Sequence, residues 1–120
     1  MFRRALLAAL PALALFSVPV SAKQLNECLP IDQALSSAPT VAAAIGSDVS
    51  VDRGAAAAEL VAAIRATVPE KAHEAEIILA YHKDGEAVVY FGGEGGFCHV
   101  EHFTAEETRR IILYVLGRSA

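Results

Sequence analysis

The chain has 120 residues, with fourteen acidic against ten basic side chains and a formal net charge of −4. That length supports one hydrophobic core and not two. The acidic balance argues against nucleic acid or anionic lipid as a general partner, because both are bound through clustered Lys and Arg.

In chain order, Arg3-Arg4 precede an uncharged, largely apolar run from Ala5 to Val20, which ends in Val20-Ser21-Ala22. This is the order of a cleavable secretory signal peptide. Cleavage after Ala22 divides the chain into a leader, 1–22, and a single small α+β domain, 23–120. Pro11 interrupts the apolar run, which is short for a roughly 20-residue span, so a transmembrane anchor is not expected. Leu25-Asn26-Glu27 before Cys28 does not suit a lipoprotein site, which leaves no membrane anchor after signal cleavage. The leader holds two of the ten basic residues and none of the acidic ones, leaving eight against fourteen, or −6. The alanine-rich basic leader points to the bacterial periplasm or to full secretion. In such an oxidising compartment the two cysteines, Cys28 and Cys98, are expected to form a disulfide that staples the amino-terminal segment to the sheet.

Residues 23–50 are weakly patterned, with short helices expected at Leu29–Ser37 and Thr40–Ile45, separated by Pro39, and Gly46 ending the second. The Ala-rich stretch Arg53–Thr67 predicts a stronger helix. Asp52 is positioned to cap it, Ala57, Leu60, Val61, Ile64 and Val68 recur at helical spacing, and Pro69 stops it. A polar linker, Glu70–Glu74, follows, with His73 expected to be exposed in it.

The period then changes. Ile77–Tyr81 and Ala87–Phe91 are rich in strand formers and flank Asp84-Gly85, a strong hairpin signal. Gly92–Gly96 makes a second turn and Phe97–Phe103 a third strand. Thr104 and Glu107 form a capping box for a last helix that ends near Gly117. Its body, Ile111–Leu116, is apolar nearly all round, so it is expected to pack centrally on the sheet. The predicted fold is thus α+β: a three-stranded antiparallel meander packed with a preceding Ala-rich helix and a C-terminal helix. This order of elements is similar to that of small exported modules such as PepSY-type domains and cystatin-like inhibitors, a likeness of order alone that carries no residue role.

Turn length sets strand register. A two-residue Asp84-Gly85 turn pairs His82 with Ala87, Ala80 with Val89 and Ile78 with Phe91. A five-residue glycine loop would then pair Phe91 with Phe97, Val89 with His99 and Ala87 with Glu101. One face would carry Ile77, Leu79, Tyr81, Val88, Tyr90, Cys98 and Val100 against a helix. The other would mix Ile78, Ala80, Val89, Phe91 and Phe97 with His82, His99 and Glu101.

Three functions are open on this reading. The first is a small non-enzymatic module that binds an unknown protein or peptide, through a partly apolar face of Phe91, Phe97 and Phe103 or through an exposed strand edge. The second is a divalent-metal binder using His82, His99 and Glu101, whose rows would bring them near one point. The third is a small hydrolase or redox protein, although the chain contains no nucleophile elbow, zincin helix, phosphate loop or dinucleotide fingerprint. No cofactor is expected. Cys98 and His99 are adjacent on a strand and face opposite sides, so this imidazole is not placed to activate this thiol.

Overall fold

The computed structural model describes residues 23–119; the expected leader, 1–22, lies outside them. In chain order they form β1 (Lys23–Leu29), α1 (Ile31–Ile45), β2 (Asp48–Arg53), α2 (Ala55–Thr67), a 3₁₀ turn (Pro69–Lys71), β3 (Ile77–Lys83), β4 (Glu86–Gly93), β5 (Gly96–Phe103) and α3 (Ala105–Ser119). The strands make one sheet in the order β1-β5-β4-β3-β2, every neighbouring pair antiparallel. The α+β class and the meander are as expected, with two further strands added at the edges.

Both additions come from the weakly patterned first half. β1 pairs with β5 through Lys23–Val100 and Gln24–His99, and the pairing becomes irregular before Leu29. β2 pairs with β3 from Asp48–His82 to Arg53–Ile77. Asp52 therefore lies in a strand and does not cap α2; Gly54 holds that position, at φ 57. The two short helices expected around Pro39 are one helix, with Pro39 inside it. Proline removes a helical hydrogen bond and costs about 3 kcal/mol in a helix interior. Here Ala38, Val41, Ala42 and Ile45 bury one face across the proline, and that packing holds the two halves as one rod.

The first hairpin has the expected register, from Ile77–Gly92 to Lys83–Glu86. Its turn residues Asp84 and Gly85 both have positive φ, at 55° and 82°, as the favoured two-residue turn requires. The second hairpin differs. Gly93 pairs with Gly96, so its turn is Glu94-Gly95, and Cys98 is an extra residue between the Gly92–Phe97 and Phe91–His99 pairs. The shorter turn and this bulge together move His99 opposite Phe91, Glu101 opposite Val89 and Phe103 opposite Ala87, and they leave Phe97 on the other face. Gly92 permits it: a Cβ there would lie 2.7 Å from the Phe97 ring and 2.9 Å from Ile77.

Both faces of the sheet are covered. α1 lies over Ile77, Leu79, Tyr81, Val88, Tyr90, Phe97 and Val100, the expected layer with Phe97 in place of Cys98, which is the bulge residue. On the other face α2 packs Ala57, Val61, Ala63, Ile64 and Val68 against Ile78, Ala80, Val89, Phe91 and Phe103, joined by Ile111 of α3. The capping box of α3 forms as expected: the Glu107 amide donates to Thr104 Oγ1 at 3.1 Å and the Thr104 amide to Glu107 Oε1 at 2.9 Å. The helix runs past Gly117 to Ser119. It is not the central core helix its composition suggested, because α2 occupies most of that face; Ile111 is buried and Val115 half-buried, while Ile112, Leu113, Tyr114 and Leu116 are exposed.

Candidate functional site

Strand alternation places His99 and Glu101 on the α2 side of β5, as expected. What gathers there was not legible in the sequence. Glu101 is 0% exposed, and its Oε2 accepts a hydrogen bond at 2.6 Å from Nε2 of His73, from the segment between the 3₁₀ turn and β3. The expectation that His73 is merely exposed is corrected: it is half-buried, stacks on His99 at 4.3 Å with the rings 9° apart, and meets the Phe91 ring edge-on at 5.1 Å. A fully buried carboxylate is costly unless it is hydrogen-bonded or paired, and His73 meets that need from outside the sheet. Its position depends on where the linker crosses β5, which no local pattern records.

A second polar contact anchors the same linker. Lys71 Nζ donates to the His102 carbonyl at 2.6 Å and to Glu107 Oε1 at 2.9 Å, and lies 5.4 Å from the centre of the Phe103 ring. Burial alone would raise the Glu107 carboxyl; the hydrogen bonds from Lys71 and Thr104 and the charges of Lys71 and Arg110 outweigh it and hold the group below its ordinary value. Lys71 and His73 therefore tie the linker down on its buried side, and Glu74 adds an exposed tie to Arg65 at 2.7 Å.

The His99 imidazole is shifted below 6.5, first by desolvation and second by the charge of the stacked His73. In the folded state His99 resists a proton that the unfolded chain accepts. Its contribution to stability is thus complete above about pH 6.5 and falls as the pH drops below that value. Melting curves at pH 7.5 and 5.5 should show an acid-induced decrease that is smaller in His99→Gln; equal decreases in the two proteins would show that His99 is not its source.

The other residues singled out by sequence lie apart. The row of His82 continues to Ala87 and ends at Phe103, where Glu101 was expected, so the shorter turn and the bulge remove the alignment on which a His82, His99 and Glu101 metal site depended. His82 is exposed and its Nε2 lies 3.3 Å from Ser50 Oγ. Among the described residues no group of three His, Cys, Asp or Glu is placed to hold a metal ion. Phe91, Phe97 and Phe103 are 1%, 0% and 1% exposed; they are core, not a binding face, because both sides of the sheet are covered. Cys28 and Cys98 are joined in a disulfide, S–S 2.03 Å, that links β1 to the bulge of β5. A hollow of about 190 Å³ at the first hairpin is lined by residues including Tyr81, Lys83, Glu86 and His102, the last two 2.8 Å apart.

No described helix is long and apolar enough to cross a membrane. Comparison of the chain with protein-family models, with curated proteins and with solved structures finds no match.

Proposed function

We propose that this protein is a small exported, non-enzymatic interaction module of the periplasm or cell exterior, and that it takes an extended protein or peptide segment along the outer edge of β2. The observation that carries this reading is the position of β2: it ends the sheet, its residues are exposed or half-buried along its whole length, and Val51 at its middle is 43% exposed. An outer strand offers unpaired backbone donors and acceptors to a partner strand, and the side chains beside them supply selectivity. Asp48, Asp52 and Arg53 bracket Val51 and would discourage indiscriminate pairing. With the three phenylalanines in the core, the strand edge is the mode of binding left from the sequence reading. The disulfide supports an oxidising compartment. It also weakens the redox alternative, because no described cysteine is free and the joined pair is 70 residues apart, unlike a Cys-x-x-Cys motif.

The test is to produce the chain in a secreting bacterial host, confirm by mass analysis that it begins at Lys23, and cross-link it to proteins of the same compartment alongside Val51→Lys. The wild-type chain should retain a partner that the variant loses, and that partner should slow amide exchange across residues 48–53. A partner retained equally by Val51→Lys, with no protection of β2, would refute the strand-edge reading.

A further inference from the structure

The exposed half of α3 is a second surface, independent of the β2 edge. Ile112, Leu113 and Leu116 are 52%, 55% and 59% exposed, with Tyr114 beside them at 37%. At about 100° per residue the three aliphatic side chains lie within one stripe about 100° wide. Arg109 falls on the same stripe one turn earlier and Arg110 lies next to it, both exposed. Among the described residues neither has a carboxylate within ion-pair distance; Arg110 reaches only the Thr67 carbonyl, at 3.4 Å. Glu107 is engaged by Lys71, which leaves Glu106 as the one exposed acid of the helix, nearly two turns before Ile112. The chain is acidic overall, but this end of the helix is locally basic and apolar.

A second copy is a poor occupant. Three half-exposed aliphatic side chains provide only a few hundred Å², well short of the roughly 800 Å² per partner of a stable interface. An anionic bilayer surface needs no such area and carries the charge opposite to that of Arg109 and Arg110. Apolar side chains enter the boundary between headgroups and acyl chains to a depth of about 5–10 Å. One helical turn, about 5.4 Å, then separates them from arginines at the level of the phosphates. We propose that the C-terminal half of α3 docks reversibly on anionic phospholipid, with Ile112, Leu113 and Leu116 inserted and Arg109 and Arg110 against the headgroup phosphates. The expectation from net charge is thereby modified, because screening over about 8–10 Å makes the local charge of the helix the one a membrane meets.

The experiment uses the chain recovered from a secreting host, sedimented with vesicles of phosphatidylglycerol and phosphatidylcholine in equal parts or of phosphatidylcholine alone. The expected result is at least tenfold stronger partition to the mixed vesicles, reduced in high salt, close to the phosphatidylcholine level in Arg109→Gln/Arg110→Gln, and abolished in Leu113→Glu/Leu116→Glu. The chain contains no tryptophan, so Leu116→Trp provides a readout that does not depend on a disruptive substitution: its emission should shift to the blue with mixed vesicles only. No partition and no shift would overturn the proposal. So would unchanged partition of the glutamate variant, or a dimer in sedimentation equilibrium that Leu113→Glu dissociates. Binding of free glycerol phosphate without vesicle binding would also refute it.

Discussion

Cys28→Ser is expected to lower the melting temperature by about 15 °C or more. The bridge joins residues 70 apart in sequence, and the closed loop contains α1, β2, α2, β3 and β4. In the chain-entropy model, closing a loop of that length removes about 4 kcal/mol of freedom from the unfolded chain. A domain of this size shifts by roughly 4–8 °C per kcal/mol. The native state has reason to depend on it as well. β1 pairs only with β5, and irregularly, so without the covalent link it would be the first strand to leave the sheet. Thermal melts of wild type and Cys28→Ser, each with and without dithiothreitol, check this. Reduction should bring the wild type to the level of the variant and leave the variant unchanged; coincident melts of all four samples would show that the bridge contributes nothing.

His73→Ala is expected to cost about 3 kcal/mol in urea unfolding at neutral pH, the lower end of the range for breaking a buried pair by removing one partner. The lower end applies because the His73 side chain is 21% exposed while that of Glu101 is 0% exposed. The loss has three parts: the 2.6 Å hydrogen bond, the stack on His99 and the edge contact with Phe91. The carboxylate is what makes it large, because Glu101 stays buried when the His73 hydrogen bond is removed. Replacing Glu101 by Leu in the His73→Ala background should therefore recover part of the stability, which a simple loss of ring packing would not allow. If His73→Ala costs less than about 1 kcal/mol, the linker is not held by this pair.

The elements that were legible beforehand share a property: their signals are local. Asp84-Gly85 specifies its turn through two positive φ values, and the pairing of β3 with β4 follows from it. Thr104 and Glu107 lie one turn apart, and the capping box needs nothing beyond that turn. The alternation of Ile77, Leu79 and Tyr81 with Ile78 and Ala80 assigns each to a face whatever else the chain does. The cysteine pairing was available from number and compartment alone. His99 and Glu101 could be placed side by side on one strand for the same reason.

Only the tertiary structure decided the rest. β1 and β2 have little alternation of their own and become strands because β5 and β3 present open edges to them, a condition set by residues 68–77 positions away for β1 and 24–34 for β2. The two-residue turn shifts the pairing by one position and the extra residue at Cys98 by another, which together exchanged Glu101 for Phe103 in the row of His82 and carried Phe97 to the other layer. Glycine spacing does not distinguish a five-residue loop from a two-residue turn followed by a bulge; the contact of Gly92 with Phe97 and Ile77 does. His73 was beyond sequence reasoning because its partner, Glu101, is 28 residues away and across a strand. The exposure of α3 could not be read from its own apolar body either, since whether a helix face is covered depends on how much of the sheet another helix has already taken, and here α2 had taken it.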